Sequence, residues 1–363
     1  MDRRWGVGGV AALALGIAVL LGKPWQTASA PPQPGASSSG DPRPAPSGGG
    51  SPARSAPHAV QGSSRATSPP SSAGPELVVT ASWGAALGQL GRERPDEGNP
   101  EAPMSLAADG KGRLLVLDQI NHRLVRYGVD GKPETSLPID LRTAQDVTVA
   151  PDGSVAVLER IHEKAVVLFD EAGKPRGALP LLGEGIDEAG HVTGVFVDGD
   201  DVYAEREHGP LVKLGDTRGT PASPRTEIPG RPSRDGALYL NAGIIQADAG
   251  RAYVAAIDRA RMANRFTREL RFDAVLGSIR LLDSDRAGVI YFAVQTRPSG
   301  SGDETLLLTC LDPANGQTLG GAVMPVNTLP EETFRDLAVL DEGGVLHALR
   351  TEAGTSYQRY DCP

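Results

Sequence analysis

The most constraining feature of this chain is a unit that recurs about six times between residues 102 and 362. Ala102–Lys132 reads APMSLAADGKGRLLVLDQINHRLVRYGVDGK. It contains an apolar run, an Asp-Gly turn, a second apolar run ending on Asp118, a polar turn, a third run and another Asp-Gly turn. Ala144–Lys174 repeats it turn for turn, with Asp152-Gly153 opposite Asp109-Gly110 and Glu159 opposite Asp118. Looser copies start at His191, Gly243, Ser278 and Phe334. Their first-turn aspartates read as Asp109, Asp152, Asp198, Asp248, Asp285 and Asp341, spaced 37 to 56 residues apart. Short alternating strands at a period of about 40–50 residues indicate four-stranded propeller blades rather than helical arrays. Val147, Val149, Val155 and Val157 fall at period two, as strands with a buried face require. Glycine and aspartate suit the turns because one accepts positive φ and the other bonds its own backbone.

The expectation is therefore an all-β, six-bladed β-propeller of four-stranded antiparallel blades over residues 76–363. The sixth unit reaches only its third strand before the chain stops. Glu76–Trp83 (ELVVTASW) stands alone ahead of the first unit, and as an N-terminal strand closing the last blade it would leave no open edge.

The residues ahead of the repeats read differently. Arg3 and Arg4 precede the apolar run Val7–Leu21, and Ala28-Ser29-Ala30 offers a small-x-small cleavage site. Trp5 and Trp25 bracket the run as interfacial anchors would. Residues 1–30 are thus a cleaved signal peptide or an uncleaved signal anchor (transmembrane helix) over residues 5–25, the chain's one route to a membrane. Both readings export the remainder of the chain, making the protein extracytoplasmic: periplasmic or secreted, or held at the inner membrane. Residues 31–75 are Pro, Ser, Gly and Ala with little to bury, as in a disordered linker.

Net charge is −9, but residues 1–75 carry +4, so the remainder carries −13. That acidity excludes the electrostatic footprint of a nucleic-acid binder. The basic run Arg259–Arg271 (RARMANRFTRELR) reads as a solvated loop or short helix, or a surface for an acidic partner, and Pro221–Gly236 as an insertion between blades. Cys310 and Cys362 lack zinc spacing and form either a disulfide or two small buried side chains. No HExxH, GxSxG, P-loop, GxGxxG or EF-hand loop is present.

The first unit resembles an NHL repeat through Pro103, Asp109-Gly110, Asp118, Asn121-His122-Arg123 and Asp130-Gly131, preceded by Trp83-Gly84 and the Gly-rich Leu87–Gly91. The match weakens through the second unit, and the later ones keep only the spacing. The resemblance, to an exported bacterial NHL-repeat propeller, covers roughly residues 76–363 and implies fold more than function. Asp118, Glu159 and Glu205 each lie six residues after a turn glycine (Gly112, Gly153, Gly199), so they share a ring position. His122, His162 and His208 come shortly after them. These six are the candidate ligand-binding residues. One reading has the acids capping turns and pairing with Arg123 or Lys164. Another has them holding Ca²⁺ or Zn²⁺. Related propeller lyases and lactonases gather His, Asp, Glu and Arg at the central channel, often with a metal. Two functions are therefore carried forward. The first is an exported, non-enzymatic binding or scaffold module without cofactor, a monomeric propeller presenting loops to a protein, peptide or glycan. The second is a metal-dependent extracytoplasmic lyase or lactonase-type hydrolase with its site at the central channel.

Overall fold

The computed structural model describes residues 63–65, 75–297 and 303–362. The expected signal segment and all but a few residues of the expected linker lie outside them. Strands β1 (Ser63–Arg65) and β2 (Glu76–Ser82) precede the first sheet. Blade one comprises β3 (Ser105–Ala108), β4 (Leu114–Asp118), β5 (Arg123–Tyr127) and β6 (Pro133–Pro138). Blade two comprises β7 (Asp146–Val149), β8 (Val155–Glu159), β9 (Ala165–Phe169) and β10 (Pro175–Pro180). Blade three has β11 (Val192–Asp198), β12 (Asp201–Arg206), β13 (Leu211–Asp216) and β14 (Glu227–Ile228). Blade four has β15 (Arg231–Pro232), β16 (Leu238–Gln246), β17 (Arg251–Asp258) and β18 (Ala263–Arg271). Blade five has β19 (Val275–Ser284), β20 (Ile290–Arg297), β21 (Leu306–Leu311) and β22 (Thr318–Met324). Blade six has β23 (Leu337–Val339), β24 (Val345–Thr351) and β25 (Gly354–Tyr360), with β2 antiparallel on β25 as its outer strand. The protein is a six-bladed propeller of antiparallel sheets, and its described helices are two single 3-10 turns.

The middle strands explain the sequence pattern. All five residues of β4, β5 and β8 are buried, because each blade is packed between two others. β4 (LLVLD) and β8 (VAVLE) accordingly read as apolar runs ending in an acid rather than as strict alternation, while β5 (RLVRY) also buries Arg123 and Arg126. The outer strands β6 and β10 are mostly exposed and carry proline at both ends, which discourages edge-to-edge pairing.

First turns share one face, here the lower; second turns and blade-to-blade crossings share the upper. Asp109 closes its turn by accepting from the N–H groups of Lys111 and Arg113, both at 2.9 Å. Blade four departs from the expected register. Its first strand is β15, two residues long, and its first turn carries Asp235-Gly236. Asp248 therefore sits between β16 and β17, in a second turn on the upper face. Pro221–Gly236 is not a mere insertion, since it supplies β14, β15 and that first turn. Ser63–Arg65, inside the stretch expected to be linker, lies parallel to β18 as a fifth strand of blade four.

Packing between blades takes two forms. Five apolar clusters of described residues bridge blades one and two, two and three, four and five, five and six, and six and one. None bridges three and four. There Arg231 pairs with Glu205 at 2.7 Å and Arg259 with Asp198 at 2.7 Å. Arg231 also lies 4.9 Å from the Phe196 ring centre and Arg259 4.8 Å from that of Tyr239. Cys310 on β21 and Cys362, just past β25, form a disulfide across the seam between blades five and six, with Cα atoms 6.2 Å apart.

Candidate functional site

The shortness of β15 shapes the upper face. Gly230 brings the chain in against β16 so closely that a Cβ there would lie 2.4 Å from the Leu240 carbonyl oxygen. The chain joins β16 only there, pairs Arg231 with Leu240 and Pro232 with Tyr239, and passes on into the first turn. The inner side of β16 beyond Leu240 is left without a companion strand, and a cleft of about 550 Å³ occupies the space. That volume falls in the usual range for small-ligand sites, about 300–1,000 Å³. One wall is apolar, built from Leu240, Ala242 and Ile244 on β16 and Ile279 and Leu281 on β19. The other is polar and aromatic, with Thr193, Glu205 and His208 from blade three and Phe334 and Arg335 ahead of β23.

The floor of the cleft is a charged plug. Arg335 pairs with buried Asp146 at 2.6 Å and lies 5.4 Å from the Phe196 ring centre. Asp146 also accepts from the Ser105 hydroxyl at 2.7 Å. Below the plug a smaller cavity of about 140 Å³ opens among the first turns, where Arg234 bridges Asp283 and Asp341, each at 2.8 Å.

Glu205 is the most constrained acid of the cleft. Burial works to raise its carboxyl. The Arg231 charge and hydrogen bonds from His208, Arg231 and Thr193 outweigh that and hold it at about 2. Arg231 donates through two nitrogens, at 2.7 and 3.0 Å, and Thr193 Oγ1 through one hydroxyl at 3.0 Å. His208 Nδ1 stands 3.5 Å from the carboxylate, and its ring is largely exposed. Arg280 pairs with Asp336 at 2.9 Å on the blade-six side. Every carboxylate in the cleft is thus matched with an arginine.

Of the six residues singled out from the repeat, only Glu205 and His208 reach this cleft. Asp118 is buried in blade one, accepting from the Gly91 N–H, Asn121 and Arg123, all at 2.8 Å. Glu159 accepts from the N–H groups of Ile161, His162 and Glu163 and from Thr143. Those two cap turns, Asp118 with Arg123 and Glu159 with backbone donors in place of Lys164. The histidines are not equivalent to one another. His122 takes a left-handed conformation, φ 51°, directly before β5, and Lys164 (φ 49°) holds that position before β9. His162 falls two residues earlier, with Nδ1 3.0 Å from Thr143 Oγ1. Among the described residues no three His, Cys, Asp or Glu side chains converge as metal ligands. Arg259–Arg271 is the turn 259–262 followed by strand β18 rather than a helix, and Arg265 and Arg271 serve internal acids, Asp258 and Glu269.

Sequence reasoning missed Arg231, Phe196 and Arg335. Arg231 lies in the segment read as an insertion, and Phe196 and Arg335 fall in repeat copies at positions where the other blades carry different residues.

No family model matches the chain, and no curated protein matches it. Similar solved structures are propellers. A streptogramin B lyase is 10% identical over 74% of this chain and 96% of its own, with a TM-score of 0.39. The propeller domain of Cps50 (Swd1) from Myceliophteria thermophila is 15% identical over 74% and 86%, at 0.44. BamB from Moraxella catarrhalis is 11% identical over 72% and 86%, at 0.35. At such identities and scores they carry no argument about what this chain does.

Proposed function

We propose that the protein is a non-enzymatic binding propeller that receives a protein, peptide or glycan ligand in the upper cleft between blades three, four, five and six. The observation that carries this reading is the cleft itself. It combines an apolar wall with polar groups, and its most deeply buried acid, Glu205, is locked to Arg231 and held at about 2. A carboxylate so strongly acidic stays ionised at neutral pH and is poorly matched to general acid or base work. Fixed charges beside an apolar wall suit recognition instead. An extracytoplasmic setting fits the Cys310–Cys362 disulfide and the basic, apolar and small-residue succession of residues 1–30.

The test is binding of the full chain to glycan and peptide arrays, alongside Ser278→Trp. Ser278 is exposed and lines the cleft, so the indole would occlude it with little effect on folding. Ligands captured by the wild type should be lost by the variant. Ligands held equally by both would place recognition elsewhere. Turnover of a lactone or glycoside panel that disappears in Glu205→Gln would replace binding with catalysis.

A further inference from the structure

The cleft has a property that narrows its ligand. Leu238 directs both its main-chain groups towards the inner side of β16: its N–H donates to Ser233 Oγ at 2.8 Å, and its carbonyl accepts from the Ser233 N–H at 2.9 Å. Main-chain groups alternate sides along an antiparallel strand. Leu240, Ala242 and Ile244 therefore aim theirs the same way, while the intervening residues face β17. Leu240 meets Arg231 on β15. On that inner side Ala242 and Ile244 meet no strand among the described residues, and both line the cleft. The register with β17 is unbroken from Leu238 to Ile244, so this alternation holds along the whole stretch. The cleft thus contains a short sheet edge, set back from the channel by one strand spacing of about 4.8 Å and collinear with β15.

Resting on the reading of this cleft as the binding site, we infer that its ligand is an extended polypeptide segment from a partner protein, which adds to β16 as the missing upper half of the first strand of blade four. The segment spans about four residues at ~3.4 Å each. Main-chain bonds to Ala242 and Ile244 give the affinity, and alternate side chains meet the apolar wall on one side and Phe334 on the other. The chain's own tail is the wrong occupant. Residues 31–62 contain Val60 as their one large aliphatic side chain and many prolines, which lack the N–H that an added strand must donate. The adjoining Ser63–Arg65 is placed at the opposite, outer edge of the same blade, on β18.

The probe is a phage-displayed random octapeptide library, panned against the full chain, with hits resynthesised as blocked peptides and methylated one backbone nitrogen at a time. Strand addition predicts an alternating scan, with a loss of about tenfold at each nitrogen facing β16 and less than about twofold at its neighbours. Hits should carry bulky apolar residues at every second position and fail on Ser278→Trp. Ala242→Pro, which removes one donor at a position where an edge strand tolerates proline, should weaken them about tenfold while the melting temperature stays near the wild type. A scan without alternation overturns the inference, and so does a library that yields no binder. If a glycan array then gives a ligand that Ser278→Trp abolishes, the cleft remains the binding site and only strand addition falls. If neither library nor array yields a cleft ligand, both readings fall together.

Discussion

The seam between blades two and three and the seam between blades three and four share one sheet but are built from different materials. The first interlocks Leu158, Val166 and Leu168 with Val195, Val202 and Val212, all buried. The second is joined through Arg231–Glu205 and Arg259–Asp198, with guanidinium groups over aromatic rings. Apolar surfaces join wherever shapes fit, whereas paired charges demand fixed geometry and lose stability sharply when one partner is removed. The same seam carries the truncated β15 and opens the cleft. A propeller can therefore interrupt one blade if the neighbouring contact no longer depends on continuous apolar burial.

The contrast can be broken from either side. Leu168→Ala, in the apolar seam, should cost about 3–4 kcal/mol in urea unfolding, independent of pH, because it leaves a cavity. Glu205→Gln should cost about 3 kcal/mol at neutral pH by removing a buried carboxylate and leaving half-buried Arg231 without its partner. Folding lowers the Glu205 carboxyl to about 2 from 4.5, so the unfolded chain takes up its proton first. The stability this pair supplies is complete above about pH 4.5 and drains away as pH falls towards 2. Glu205→Gln and wild type should accordingly converge in acid, and unchanged separation at pH 2.5 would remove the charged seam from the account.

An apolar seam that harbours a titratable ring sharpens the contrast further. His347 on β24 is fully buried, and neither ring nitrogen has a hydrogen-bond partner among the described residues. Burial, assisted by Arg280 and Arg350 against Asp336, lowers it to about 4 from 6.5. The unfolded chain protonates first here too, so stability is lost as pH falls from 6.5 towards 4. His347→Leu should raise stability by about 2 kcal/mol at pH 5 relative to wild type, with little change at pH 8, as monitored by thermal melts. The smallest effect belongs to the rim of the charged seam. Asp198→Asn, which removes the charge facing partly exposed Arg259, should cost about 1 kcal/mol, less in high salt.

Much of the fold was legible because hydrophobic runs and first turns recur with the blades. Asp109, Asp152, Asp198, Asp285 and Asp341 all mark first turns, whereas Asp248 misled. A two-residue strand such as β15 shows no periodicity, and the Ala-Asp-Ala-Gly turn at 247–250 imitated the motif it displaced. The site was less legible for a related reason. Repeat position located Asp118, Glu159 and Glu205, but the partner of each acid depends on what the neighbouring blade presents. Asp118 and Glu159 found local donors; Glu205 found Arg231, from a stretch with no counterpart elsewhere. The cleft arises from a missing strand, and a sequence does not spell out what it omits.

The pairing of β2 with β25 sets Glu76 against Arg359. Apart from β1, β2 is the first propeller strand to leave a ribosome or a translocation pore, and it must wait for β25. The ring therefore cannot shut while the chain is still being threaded, and any factor that shields nascent segments has the exposed edges of β2 and blade six to guard until Tyr360 emerges.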